Sequence, residues 1–442
     1  NPPYKEGFFI FVRHSKKYIM IKLIKEKHIS KIIIILIVMS YVLPNFRSID
    51  RIGNQWLYMS LINLFSFLYI YIKYSGDFSF TLFKKSSILK WYSLYIISSL
   101  VSILYAENIP EAIITFNQMF NSFMGLYIMI YLLRKIENPK DFIFNILFFA
   151  LLLELVFSFG PILNDLENGA FKFRSMSYSG LSANINVTAF SLVFKLPILI
   201  YFIIEKDKIL QRFLLSIILY VLLTTIFILG TRGAFLGIFS GIIFFIFYVL
   251  LNIKDFRKNI LAYSLITFSI AIAIITNMIS SNNNKSADVL KRTSTISLST
   301  SDGSVNQRLR YYKQGVEHFI SNPIIGLGIG NWKIKSIDYD KNNIFGYVIP
   351  YHAHNDFIQI AAEQGIFGLI SYLMVFISFI FTIIKNKLFL KNSFYIFITA
   401  CLAVFVIDSM LNFPISRPIN QVQFILILSL ISLKQIELKN EK

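Results

Sequence analysis

Twelve stretches of this chain are apolar for long enough to cross a lipid bilayer as helix, and no other feature limits its fold so strongly. They lie near 30–45, 56–73, 90–105, 115–133, 142–160, 186–204, 210–230, 233–251, 260–280, 356–384, 393–411 and 419–434. A helix needs about 20 apolar residues to span the hydrocarbon. With 55% hydrophobic and 16% aromatic residues over 442 positions, the pattern describes an integral membrane protein, not a soluble domain with a large core. The expected fold is all-α, with about twelve transmembrane helices and one large, partly helical loop between helices 9 and 10. Three parts follow: spans 1–9 over 1–280, the loop over 281–355, and spans 10–12 with a short tail over 356–442.

Charge orients the spans. The segments that would share one side with the termini hold twenty-seven Lys and Arg, against six in the alternate short loops. Basic residues stay on the cytoplasmic side, so both termini are expected there. The net charge of +19 then reads as a topology signal, aided by anionic lipid headgroups, and needs no nucleic acid. The loop 281–355 carries nine further basic residues on the outer side and calls for another explanation. No stretch looks like a cleaved signal peptide. Met20-Ile21-Lys22 reads as a more ordinary start, with 1–19 as upstream extension. The single cysteine, Cys401, falls in the eleventh span, so no internal disulfide can form.

Within the long loop, Ser281–Lys285 and the Ser/Thr run 293–304 read as a flexible lead-in. Asn306–Phe319 has helical spacing, with Leu309, Tyr312, Val316 and Phe319 on one stripe. Asn322-Pro323 should end that helix, and Gly326, Gly328 and Gly330 should turn the chain tightly into Asn331-Trp332.

Three groups of residues could carry chemistry at the outer membrane face. In Thr231-Arg232-Gly233, between two nearly abutting spans, a guanidinium sits beside a helix N-terminus. That pairing suits a phosphate or pyrophosphate, although a hairpin arginine can equally anchor to lipid phosphates. Arg308 and Tyr312 share a helical face, while Arg310 points elsewhere; this is a second phosphate clamp or a solvated basic face. Third, His352-Ala353-His354-Asn355 lies where the loop re-enters the membrane. Only five histidines occur, at 14, 28, 318, 352 and 354, so two within three residues is notable. His354 could act as general base, with Asn355 orienting a substrate or the loop. The rivals are a metal site with Asp356 or Glu363 and plain hydrogen bonding to loop carbonyls.

These residues reach a family. Arg232-x-x-x-Leu236, then His354-Asn355, nine residues, and Gly365-x-x-Gly368 resembles the paired signature of bacterial O-antigen ligases. Arg308-x-x-x-Tyr312 and the run from Asn322 to Asn331 resemble the wider O-antigen ligase/polymerase superfamily, in which many relatives place tryptophan at the position of Tyr312. The resemblance implies a glycosyltransferase in the bacterial inner membrane, with its active site facing the periplasm. Such an enzyme moves a glycan from undecaprenyl pyrophosphate to a lipid A–core sugar hydroxyl, with inversion and without metal or other cofactor. With that reaction in view, His354, Arg232 and Arg308 are expected to be catalytic, and His352, Asn355, Arg310, Arg174 and Lys195 substrate-binding. The expected partners are the lipid-linked donor, the lipid A–core acceptor and membrane lipids. Alternatives in the same superfamily are an O-antigen polymerase and a protein O-oligosaccharyltransferase. A lipid-linked glycan transporter is the rival from another class, but transporters more often break helices at the midplane.

Other signals have plainer readings. Asp338-Tyr339-Asp340 has the spacing of a divalent-cation site but reads as a solvated turn. The three loop glycines follow no strand, which argues against a dinucleotide site. Lys195 lies mid-span, where a charge is functional or paired, and Glu154 is its expected structural partner. Phe171-Lys172-Phe173-Arg174 could line a donor groove or rest on headgroups.

Overall fold

The computed structural model describes residues 26–43, 48–74, 81–281, 287–294, 303–343 and 350–441. Among these residues the regular structure is entirely helical, and eleven helices are long and apolar enough to cross a membrane. The protein is an all-α integral membrane protein. In chain order, the helices that matter here are α1 (26–39), α2 (Arg51–Lys73), α3 (Ser87–Tyr105), α4 (Ile109–Leu133), α5 (Pro139–Glu167), α6 (Ile185–Glu205) and α7 (Ile209–Leu229). They continue with α8 (Arg232–Leu251), α9 (Ile253–Ser281), α10 (Gly303–Ser321), α11 (Trp332–Asp340), α12 (Asp356–Lys385), α13 (Phe394–Leu411) and α14 (Pro418–Asn440). The eleven membrane-length helices fall on eleven of the twelve apolar stretches, and the first stretch begins on α1. Residues 1–25, and most of the two lead-in runs, lie outside the described residues.

Helix starts follow from local chemistry. Asp50, Ser86, Asn108 and Asn184 each stand just before a helix and accept a backbone N–H from its first turn. Pro110, Pro139 and Pro418 occupy first-turn positions, where the missing N–H costs nothing. Burial then sorts the spans. In α6 and α14, 94% of the most apolar window is buried, against 33% in α2 and α9. The first pair forms the centre of the bundle, while α2 and α9 turn side chains such as Phe65, Ile72 and Phe268 outward, where lipid is as good a solvent as protein.

Helices in lipid gain little from burying apolar surface against one another, so close contact through small residues matters more. Gly233, Gly237 and Gly241 repeat every fourth residue along α8. A methyl added to them would come within 3.0 Å of Phe190, 2.9 Å of Val193 and 3.4 Å of Leu196, all on α6. This seam presses the start of α8 against α6 and the end of α13; the same methyl on Gly233 would stand 3.2 Å from Leu411.

The loop is clamped to the membrane bundle by a break in α12. At Gly365 the backbone turns to φ 66° and ψ −162°, which interrupts the helical ladder. The loop supplies the lost partners: Leu327 N–H donates to the Ala362 carbonyl (3.0 Å), Gly328 N–H to that of Glu363 (2.9 Å), and Ile366 N–H to that of Pro323 (2.8 Å). A Cβ at Gly365 would strike the Ile324 carbonyl. The glycines at 326–330 and at 365 therefore join two segments. They do not cradle a ligand.

Candidate active site

The sequence places Arg232, Arg308 and His354 far apart; the fold brings their elements to one short segment, Met410–Phe413, at the end of α13. Gly233 packs on Leu411. The Tyr312 hydroxyl lies 2.8 Å from the Met410 carbonyl and 2.9 Å from that of His354. The Phe413 ring stacks on His352 at 4.2 Å between centroids and meets His354 edge-on at 5.2 Å.

The loop carrying the two histidines is held by its backbone. Ser336 Oγ donates to the Pro350 carbonyl (3.0 Å), and the Ala353 N–H donates to Gln359 Oε1 (3.1 Å). Gln359 in turn donates to Glu363, which also accepts the Trp332 N–H (3.0 Å). His354 itself adopts the left-handed region, at φ 57°, a conformation that costs a non-glycine residue on the order of 1 kcal/mol or more. The Tyr312 hydroxyl on its carbonyl helps to hold it there. The ring nitrogens are treated differently: Nδ1 of His352 and Nδ1 of His354 are both buried with no hydrogen-bond partner. Plain hydrogen bonding to loop carbonyls thus does not account for these atoms.

Burial, followed by the charge of Arg417, holds the His352 imidazole down to about 3. Burial and the charge of Arg308 hold that of His354 down to about 4. Both rings are neutral at neutral pH, as a proton acceptor must be. Arg308 thus lies close enough to act on His354, and its charge also acts on Tyr312, one turn further along α10. Among the described residues no three His, Cys, Asp or Glu side chains gather to hold a metal ion. Asp356 accepts the Ile415 N–H (3.1 Å) and Glu363 faces Trp332 and Gln359, so neither joins the histidines in a ligand set.

At the α7–α8 turn, Gly230 caps α7 in the left-handed conformation, and Arg292 donates to its carbonyl. The aliphatic part of Arg174 packs over the same glycine, and the Arg174 N–H donates to the Ile228 carbonyl (3.0 Å). Arg174, Arg232 and Arg292 therefore meet at one turn. Thr231, the residue before α8, caps no N–H of that helix, and its Oγ1 is buried without a partner. Helix N–H groups, a hydroxyl and three arginine residues at one turn are chemically suited to an anion.

Other residues named from sequence sit elsewhere or do structural work. Lys195 is fully buried and donates to both carboxylate oxygens of Glu154 (2.9 Å each). Arg310 forms a two-pronged pair with Asp340, its Nη2 at 3.0 Å from Oδ2, and Gln314 donates to the same carboxylate (3.0 Å). The segment containing Asp338 and Asp340 is helical and not a turn, and Asp340 is buried, so its expected solvation is corrected by the Arg310 pair. Asn355 accepts the Ile358 N–H (3.1 Å) and caps α12.

Residues 215–373 match the model of a family described as O-antigen ligase. A Rickettsia conorii protein bearing the name polysaccharide ligase is 25% identical over 324 residues, which cover 71% of this chain and 72% of that one. Both findings support the O-antigen ligase superfamily for this chain. The family match takes in Arg232, Arg308, the His352–Asn355 loop and the α12 break. Phe413 and Arg417 lie beyond it, in the short connection from α13 to α14. Sequence reading passed over both: Arg417 counted only as a loop charge, and Phe413 as one of 45 phenylalanines. Arg292 was lost beside a low-complexity run. Of the three, only the Phe-Pro and Arg-Pro pairs at 413–418 gave a local sign, as markers of a rigid turn.

Proposed function

We propose that this membrane protein is a glycosyltransferase that moves a glycan from undecaprenyl pyrophosphate to a sugar hydroxyl of a lipid A–core, at the periplasmic face of the inner membrane. The observation that carries the reading is the meeting of two neutral imidazoles, each with an unpartnered Nδ1, with two arginine-bearing helices at Met410–Phe413. Outside the inner membrane no nucleotide supplies energy, so the donor must carry its own leaving group, and a lipid pyrophosphate does.

In the proposed reaction the acceptor hydroxyl oxygen attacks the anomeric carbon opposite the phosphate. The new C–O bond forms as the bond to the phosphate oxygen breaks, and the configuration inverts. His354 takes the hydroxyl proton, and undecaprenyl pyrophosphate leaves with the bonding pair. Arg232 and Arg308 stabilise that growing negative charge in a partly dehydrated site. The low proton affinity of His354 fits this order. Its burial and Arg308 disfavour the imidazolium, and a bound pyrophosphate supplies the counter-charge that makes it accessible. Arg174 and Arg292 would steady the same leaving group at the α7–α8 turn. Lys195, Arg310 and Asn355 we assign to holding the scaffold.

The deciding experiment is lipopolysaccharide analysis of a deletion strain. Loss of long glycan from lipid A–core, with polymerised glycan accumulating on undecaprenyl pyrophosphate, is the expected result. Short single-repeat glycans still attached to lipid A–core would overturn the reading in favour of a polymerase.

A further inference from the structure

Arg417 stands apart from its fellow arginines at the protein's polar contacts. Arg212 is bonded to the carbonyls of Ile204 and Lys206, Arg292 to that of Gly230, and Arg310 to Asp340. The Arg417 guanidinium makes no hydrogen bond and no salt bridge among the described residues, and its Nε is buried without a partner. Its one specific contact is the Phe413 ring, 4.8 Å from the guanidinium carbon. The acidic group whose charge reaches it, Asp50, is engaged in capping α2 through the Gly53 N–H (2.9 Å). A guanidinium whose Nε is held from water without an anion is costly, and its planar fork is shaped for phosphate or carboxylate oxygens.

Its position is fixed. Arg417 immediately precedes α14, whose first turn is set by Pro418 and whose membrane window is almost wholly buried. The stack on Phe413 places it beside His352, and its charge acts on that ring, whereas Arg308 acts on His354. The two arginines therefore address the histidine pair through different members, with Lys333 adding to the charge on His352. Arg308, with the α7–α8 turn, is on the side assigned to the leaving pyrophosphate.

We propose that Arg417, with Phe413 and His352, forms a second anion subsite that binds a phosphate or carboxylate of the acceptor lipid, distinct from the donor clamp. This deepens the functional reading above and rests on it. In an inverting transfer the acceptor enters opposite the leaving group, and a cation that reaches the histidine pair through Phe413, not through α10 or the α7–α8 turn, is available to meet it. The subsite holds the acceptor by a charged group outside the reacting hydroxyl, which places that hydroxyl at the histidines.

The test uses the full-length protein in lipid nanodiscs, with purified lipid A–core as acceptor, either intact or treated with alkaline phosphatase. Arg417→Gln is expected to raise the acceptor KM about tenfold or more, as the loss of a charge-assisted contact does, with donor KM and kcat within about twofold. Phosphatase treatment should cost the wild type a similar factor and Arg417→Gln nothing further. If treatment leaves the wild type unchanged while Arg417→Gln still loses acceptor affinity, the anion is a carboxylate and the subsite stands. A raised donor KM, or no change in either KM, overturns it. Arg257→Gln, on an exposed surface, serves as the charge control. Should Arg417→Gln fail to fold, Arg417→Lys keeps the charge without the fork and is expected to show the same split. Equilibrium binding of lipid A–core without donor separates the two claims. Wild-type binding by Arg417→Gln sinks the subsite alone, whereas a wild-type protein that joins lipid-linked glycans to each other and ignores lipid A–core sinks the functional reading.

Discussion

Two of the polar regions buried in this bundle are built on opposite principles. In the first, Glu154 on α5 accepts bonds from Lys195 and Ser191 on α6 and from Tyr41 near α1, and Gln423 on α14 donates to Ser191. Lys195 also donates to the Ser191 carbonyl (2.8 Å). Charge and lone pairs are matched inside the protein. In the second, around Phe413, the backbone is anchored but Thr231 Oγ1, His352 Nδ1, His354 Nδ1 and Arg417 Nε are buried with no partner. A buried polar group left unbonded costs about 1–3 kcal/mol, and such groups in one place point to chemistry that comes from outside. A charge within a membrane protein can thus serve architecture or reaction, and its hydrogen bonds tell which.

The comparison is broken most severely by unpairing the first region. Lys195→Met leaves Glu154 buried without its cation and should cost about 3–5 kcal/mol of stability, read as lowered thermal stability and membrane yield. The double variant Lys195→Met/Glu154→Gln should recover part of that loss. If Lys195→Met is stable but cannot bind donor, the region is functional after all.

Next in size are the donor cations. Arg232→Lys and Arg308→Lys should each cost roughly 2–4 kcal/mol in the transfer step, because lysine cannot make the two-pronged phosphate contact. Protein level should be unchanged. Wild-type transfer in Arg232→Lys would reduce that residue to a lipid anchor. His354→Ala should lower turnover by ~10²-fold or more while donor binding survives. Near-normal turnover would pass the role of base to His352.

Smaller effects sharpen the second region. Tyr312→Phe removes the hydroxyl that joins the His354 and Met410 carbonyls. It should cost about 1 kcal/mol in transfer and little in donor affinity. An equal loss in Lys195-type stability would make Tyr312 structural. Last is pH. His354 is held down to about 4, so it stays neutral until the pH falls to that region. The acid limb of donor kcat/KM should lie near there rather than at the ordinary imidazole value. Removing the Arg308 charge by Arg308→Gln relieves one of the two causes, so the limb should move up. A limb that stays put excludes His354 as the titrating group.

Helix type and eleven of the spans were legible because lipid imposes one local rule: a stretch of apolar residues of that length must be helix. The family was legible too, because Arg232, His354-Asn355 and Gly365-x-x-Gly368 form a spaced pattern along the chain. The pair of Glu154 and Lys195 could be foreseen because an unpaired mid-span charge is so costly. Arg310 was harder: its spacing set it off the Arg308 face, but only the folded loop shows Asp340 thirty residues on as its partner. The glycines at 326–330 read correctly as a turn, without a hint that the turn feeds hydrogen bonds into a broken helix.

What the amino-acid order determined by itself is the membrane class, eleven of the spans and the chemical types available. What tertiary structure alone decided is which of those groups are already satisfied. Arg310 and Arg417 are the same side chain outside the membrane-length helices, and one meets a buried carboxylate while the other meets a phenylalanine ring. Hydrogen bonding depends on atoms within about 3 Å, and it is packing across distant segments that sets those distances.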